Sequence, residues 1–169
     1  MRTVFNLLGP LTNPAGANTQ LVGAPSPQAA ELIAGALAAL GLERGFVVHG
    51  SDGLDEITTT GLTLAFEIRH GEVRRQTLLP EQFGIATARL EDLQGGDRAR
   101  NYAIARAVLE GARGPQRDIV LVNASAALVA AGKAGDFPEG VALAERAIDS
   151  GAALRKVEEL ARFTGETAP

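Results

Sequence analysis

From residue 21 onward, apolar positions fall alternately into strand-like and helical spacings. Leu21, Val22 and Gly23 read as a short strand, and Ser26-Pro27 supplies an N-cap followed by proline at the first helical position. Ala29, Leu32, Ile33, Ala36, Leu37 and Leu40 then recur at helical spacing, with Gly41 placed to cap the helix at its C-terminus. Phe46, Val47 and Val48 form a second, wholly apolar strand, and the order strand, helix, strand predicts a right-handed parallel crossover. Between Leu62 and Leu79 the period changes to two. Leu64, Phe66 and Ile68 alternate with small or polar residues, and His70-Gly71 interrupts before a second run from Glu72, the pattern of a hairpin with a two-residue turn. Further on, a helix is expected over 98–112 with Tyr102, Ala105, Val108 and Leu109 inward, stopped by Gly114-Pro115. The stretch 119–131 is apolar nearly all round and reads as a helix buried inside the domain. Two more helices are expected at about 138–150 and 151–163, with a frayed tail over 164–169. At the start, Phe5, Leu7, Leu8 and Leu11 surround Gly9-Pro10, so that segment should turn beside the core and end at Asn13-Pro14. The fold class that results is α/β, a mostly parallel sheet with flanking helices plus a β-hairpin, in one domain over residues 1–169.

Composition sharpens this reading at a few points. With 46% hydrophobic and 21% charged residues, the 169-residue chain can bury a core. Only 4% of residues are aromatic, so that core must be built mainly from aliphatic side chains and close backbone approaches. A formal net charge of −4 argues against a dedicated nucleic-acid binder, though not against a local anion site. The absence of cysteine removes disulfides, thiolate zinc sites and thiol catalysis, and fits a reducing compartment. With no signal-like start and no apolar run long enough to span a bilayer, the expected location is cytoplasmic.

The candidate chemistry centres on FVVHGSDGLDEITT, residues 46–59, where an apolar strand ends in a Gly- and acid-rich loop. Adjacent residues on a strand point to opposite faces, so Asp55 and Glu56 can converge on one ligand only in irregular backbone, which Gly50 and Gly53 permit. Mg2+ suits such a pair, because it keeps several waters and is usually held by one or two carboxylates plus substrate phosphates. A solvated acidic turn is the plainer alternative. Ligands bind beyond the carboxyl ends of strands in α/β sheets, and that rule puts this loop on the working edge. Gly9 would let a ligand approach the backbone, and Pro10 offers a flat apolar wall for a planar aromatic substrate; a tight turn at the edge of the core is again the plainer alternative. His70 reads as a solvated turn residue and His49 as a satisfied core or edge histidine. Gln94-Gly95-Gly96-Asp97 resembles a phosphate loop, but the acidic Asp97 reads better as the N-cap of the following helix.

Three separated strings, FNLLGPLTNP at 5–14, HGSDGLDEIT at 49–58 and VNASAALVAAGKAGDFPEGVALAERAIDSG at 122–151, together strongly resemble the anthranilate phosphoribosyltransferase family. The resemblance implies transfer of the phosphoribosyl group of phosphoribosyl pyrophosphate to the amine of anthranilate, in tryptophan biosynthesis, with Mg2+ required. It further implies a small helical domain, a large α/β domain and a homodimer. By the family's motifs, Asp55 and Glu56 would bind Mg2+ and Gly9 and Pro10 would border the anthranilate pocket. The family's Gly-rich pyrophosphate loop, its Lys-His-Gly-Asn segment and the arginine that faces the anthranilate carboxylate precede the first motif and are not in this chain. Arg2 aligns with a later basic residue and does not inherit that arginine's role; Ser51, where relatives often carry an acid, is a minor departure. The chain therefore reads as the C-terminal half to two-thirds of the large domain, inactive alone, with exposed sheet edges and apolar patches. A non-enzymatic binding or assembly module that kept the fold is the competing expectation. The pyrimidine nucleoside phosphorylases share a similar architecture but match the GPLTNP and DGLDE strings less well.

Overall fold

A computed structural model describes residues 9–167. The expected packing of Phe5, Leu7 and Leu8, the alignment of Arg2 and the last two residues of the tail lie outside the described residues. Strands β1 (Thr19–Gly23), β2 (Arg44–Gly50), β3 (Thr63–Arg69) and β4 (Glu72–Leu78) form a sheet in that order. Helix α1 (Pro27–Ala39) connects β1 to β2, and α2 (Arg98–Leu109), α3 (Pro115–Ala130), α4 (Phe137–Asp149) and α5 (Ala152–Thr167) follow the sheet. The α/β class, the flanking helices and the hairpin are as read from the sequence. The sheet itself is mixed among the described residues: β1 and β2 pair in parallel, whereas β2 with β3 and β3 with β4 pair antiparallel.

Local chemistry accounts for the element boundaries. Ser26 is extended and its Oγ accepts from the Ala29 N–H, with Pro27 opening α1. At the other end Gly41, at φ +88°, donates to Ala38 O while Leu42 N–H reaches Leu37 O, a Schellman closure that the left-handed glycine makes possible. In the hairpin both turn residues are left-handed, His70 at φ 51° and Gly71 at φ 85°, which matches the strand twist of a two-residue turn.

Side-chain alternation along the strands divides the core between the two faces of the sheet. Val22, Val47, Phe66 and Ile68 pack against Ala30, Ile33, Ala34 and Leu37 of α1. On the opposite face Phe46, Val48, Ala65 and Leu78 meet Leu121, Val122 and Ala126 of α3 and Val141 and Ala144 of α4. Helices α3 and α4 approach closely because position 140 carries no side chain. A Cβ on Gly140 would stand 2.5 Å from Ser125 Oγ and 2.9 Å from Ser125 Cα. Ser125 is buried and its hydroxyl donates to Phe137 O at 2.7 Å, so it cannot turn aside without losing that bond. Gly140→Ala should recover about 1 kcal/mol of helix propensity yet lose more to overpacking, which costs about 1–3 kcal/mol. A net fall in the urea midpoint is the expected result; an unchanged or raised midpoint would contradict the tight crossing.

Three details correct the sequence reading. Tyr102 is 66% exposed and Ala105 is exposed too, while Val108 and Leu109 turn inward as expected, joined by Ile104. Ile104 and Val108 lie one turn apart, and Tyr102, two residues before Ile104, falls on the far side of the helix. Helix α3 is not buried all round. It starts at Pro115, turns Val120 and Ala127 outward, and buries Arg117 instead, whose Nη1 donates to Asp149 Oδ1 at 2.7 Å and to Gly111 O at 3.2 Å. Finally, α5 continues to Thr167 rather than fraying from Thr164, and it leaves Val157, Leu160 and Phe163 exposed.

Candidate metal-binding loop

The segment from Gly50 to Thr63 leaves the carboxyl end of β2 and returns as β3. Its base is closed by Ser51 N–H on Leu62 O at 2.9 Å. Inside, Gly50 N–H donates to Leu54 O at 2.8 Å and Gly53, at φ +93°, donates to Gly50 O at 3.0 Å, a turn that a residue with a side chain would strain. Asp52 is the hub of this turn. Its Oδ1 accepts from Leu54 N–H at 3.1 Å, and its Oδ2 accepts from the hydroxyls of Thr58 at 2.5 Å and Thr60 at 2.7 Å. Burial pushes the Asp52 carboxyl up, but the hydroxyls of Thr58 and Thr60 with the Leu54 N–H outweigh it and hold the pKa below its ordinary value.

Asp55 and Glu56 stand at the crest of this loop, both exposed, and neither carboxylate has a hydrogen-bond or ion-pair partner among the described residues. Partial burial raises the Glu56 pKa, and the adjacent Asp55 charge raises it further. A cation held between the two groups would relieve that repulsion. The donor set fits Mg2+ in kind: two hard, unpartnered carboxylates in a backbone that is otherwise fixed. Among the described residues no third acidic, His or Cys group joins them to form a cluster of three, so they offer a share of a coordination sphere rather than a complete cage. Glu56 also borders a cleft of about 550 Å³ lined by Leu54, Leu90, Leu93, Ile119 and Val120.

Two contacts that sequence reading did not find set the position of the pair. A Cβ built on Gly23 would lie 1.7 Å from Asp55 O, so the backbone of Asp55 rests directly on the carboxyl end of β1. Asn123, on α3, clamps the residue after Glu56: Ile57 N–H donates to Asn123 Oδ1 and Asn123 Nδ2 donates to Ile57 O, both at 2.9 Å. Signals for both were present, a glycine closing a strand and an asparagine in the apolar run of a helix, but neither signal names its partner.

The remaining candidates lie elsewhere. Gly9, Pro10 and Leu11 form a 3-10 turn, and Leu11 lines a cavity with Leu37, Leu40 and Gly41 at the C-terminal end of α1. That is the amino end of β1, opposite the end on which Asp55 rests, so the structure does not bring Gly9 and Pro10 to the acidic pair. Gly9 is exposed, and among the described residues no atom beyond its chain neighbours lies within 4 Å of where a Cβ would stand. His49 is satisfied by Ala24 O, 2.8 Å from Nδ1, and His70 is exposed at the hairpin tip. Asp97 Oδ1 caps α2 by accepting from Arg100 N–H, while the Asn101 side chain occupies both the N–H and the carbonyl of Gly96. The Gly95-Gly96 loop therefore spends this N–H on its own helix, as the capping reading requires.

Residues 1–154 match the glycosyl transferase family, a/b domain. The chain belongs to that family. Within it, the chain is similar to the anthranilate phosphoribosyltransferase of Solibacter usitatus, 73% identical over 163 residues, which cover 96% of this chain and 48% of that protein. The anthranilate phosphoribosyltransferase of Geobacter sulfurreducens is 54% identical over 166 residues, 98% of this chain and 47% of that protein. Among solved structures, the Thermus thermophilus enzyme of the same name superposes with a TM-score of 0.86 at 44% identity, covering 96% of this chain and 48% of that one. The Saccharomyces cerevisiae enzyme in complex with PRPP and Mg gives 0.80 at 30% identity, over 94% and 46% of the two chains. The chain thus spans about half the length of these family members.

Proposed function

We propose that this chain supplies the metal-binding loop of an anthranilate phosphoribosyltransferase, which moves the phosphoribosyl group of phosphoribosyl pyrophosphate to the amine of anthranilate and releases pyrophosphate, in tryptophan biosynthesis. The observation that carries the proposal is the unpartnered Asp55-Glu56 pair, held at the carboxyl end of the sheet by a fixed backbone in a chain 73% identical to an enzyme of that name. Asp55 and Glu56 would hold Mg2+ together with pyrophosphate oxygens. When bound, the cation offsets the negative charge that grows on the departing pyrophosphate. Asp52 keeps the turn closed beside the two carboxylates. Gly9 and Pro10 would border the anthranilate once the first motif meets the rest of the enzyme; the open space around Gly9 permits a ligand to reach the backbone there. Among the described residues no helix is long and apolar enough to cross a membrane. On this proposal the full-length enzyme would work in the cytoplasm as a homodimer.

Anthranilate consumption, followed by its fluorescence with phosphoribosyl pyrophosphate and Mg2+ present, tests this. The chain alone should be inactive, and the chain fused to the preceding half of the Solibacter enzyme should be active. In the fusion, Asp55→Asn with Glu56→Gln should lower kcat by roughly 100-fold or more, the scale of losing charge stabilisation at a developing anion. An inactive but folded fusion would instead favour a non-enzymatic module that retains the fold.

A further inference from the structure

We infer that Asn123 is a positioning residue for the cation site, acting through the peptide planes that flank Glu56. The inference rests on the reading of Asp55 and Glu56 as the metal ligands. A peptide unit is planar, so fixing one of its atoms against a rigid neighbour fixes the plane. The plane between Asp55 and Glu56 carries the Asp55 carbonyl that lies against Gly23 at the end of β1. The plane between Glu56 and Ile57 carries the Ile57 N–H, which donates to Asn123 Oδ1, and the next plane carries the Ile57 carbonyl, which accepts from Asn123 Nδ2. With both flanking planes held, the direction in which the Glu56 side chain leaves the backbone is set, and Asp55 shares one of those planes.

Asn123 can do this because its own amide is locked. Its Nδ2 also donates to Ile119 O at 2.9 Å, one turn back on α3, so the side chain cannot rotate without breaking three hydrogen bonds. Helix α3 lies on the core beneath the sheet through Leu121, Val122 and Ala126, all buried, which makes it a rigid platform 66 residues away in sequence from the loop it holds. Neither hydrogen bond to Ile57 can be replaced by backbone, since Ile57 lies in the loop, outside every strand. Asn123 thus does for the acidic pair what a ladder partner does for a strand.

The test is Mn2+ binding, a cation with the same preference for carboxylate and water ligands, followed by the paramagnetic resonance of free Mn2+ in titrations of the 169-residue chain. Asn123→Ala should weaken binding about tenfold, the lower end of what supporting partners contribute to metal affinity. Leu37→Ala is the control, because Leu37 is buried against the other face of the sheet. It should lower the thermal midpoint as much or more while leaving the affinity within about twofold. Asn123→Thr removes both bonds to Ile57 without adding a charge, keeps a hydroxyl that can donate to Ile119 O on its own helix, and should lose affinity as alanine does; it decides the question if the alanine variant fails to fold. Wild-type affinity in a folded Asn123 variant overturns the positioning role, as does an equal loss in Leu37→Ala. If neither the chain alone nor the fusion with pyrophosphate present shows Mn2+ binding that Asp55→Asn removes, the metal reading itself fails and the inference falls with it.

Discussion

Gly23→Ala should abolish cation binding and destabilise the fold by about 3 kcal/mol or more, at or beyond the upper end of overpacking costs. The new Cβ would stand 1.7 Å from Asp55 O and 2.7 Å from Asp55 C, both main-chain atoms, so no rotamer change can make room. Ordinary contact requires roughly 3.5 Å, and either β1 or the loop must move by more than ~1 Å. β1 is tied to β2 from Thr19↔Arg44 to Gly23↔Val48, and Ala24 N–H continues the pairing onto Val48 O at 2.9 Å. The loop is held by the Gly50–Leu54 bond, by Asp52 and by Asn123. Whichever side yields, the Asp55-Glu56 backbone loses its place. Alanine would also recover about 0.5–1 kcal/mol from reduced unfolded-state freedom, far less than the overlap costs. Thermal denaturation and an Mn2+ titration of the same variant check both halves, and wild-type values in either would show that the loop does not rest on β1.

What is legible in the sequence and what is hidden differ in range. The Ser26-Pro27 start of α1, its Gly41 end and the His70-Gly71 turn involve residues within a few positions of one another, and each is readable from residue type alone. The family resemblance likewise rests on strings of adjacent residues, Asp55-Glu56 among them. By contrast, Gly23 meets Asp55, Asn123 meets Ile57 and Arg117 meets Asp149 across gaps that no local pattern spans. The α2 stripe misleads because Tyr102 is apolar enough to suggest burial, although the helix is rich in arginine and turns only its Ile104–Val108 side to the body. The strand pairing is partly readable. No helix separates β2 from β3, and a parallel pair needs a crossover, so a mostly parallel sheet cannot extend past β2.

Asp52→Ala is the second substitution with a large expected effect, a loss of roughly 2–4 kcal/mol at neutral pH. Hydrogen bonds to a charged acceptor contribute about 1.5–3 kcal/mol each, and three that share one carboxylate do not add in full. Alanine would leave the hydroxyls of Thr58, a residue that is 1% exposed, and Thr60 with only each other and the Thr60 N–H as partners, and would free the Leu54 N–H. The same network sets an acid dependence. Because the folded state holds the Asp52 pKa below its ordinary value of 3.8, the unfolded chain takes up the proton first as pH falls. The carboxylate's contribution is therefore complete above the unfolded pKa and disappears as pH drops through the lower, folded one. Asp52→Asn keeps the shape but has no charge to lose; with its oxygen kept for the Leu54 N–H, its NH2 faces the hydroxyls of Thr58 and Thr60, and both have to reverse. It should be less stable than wild type at neutral pH and should close the gap in acid. Urea midpoints taken from neutral pH downward for the two proteins read this as convergence. A constant gap would move the acid sensitivity to Asp149, whose pKa is also held down, first by its hydrogen bond from Arg117, and which ties the end of α4 to the start of α3. In that case, acid would neutralise the Glu56 carboxylate, whose pKa is raised, before it loosened the α3–α4 pair.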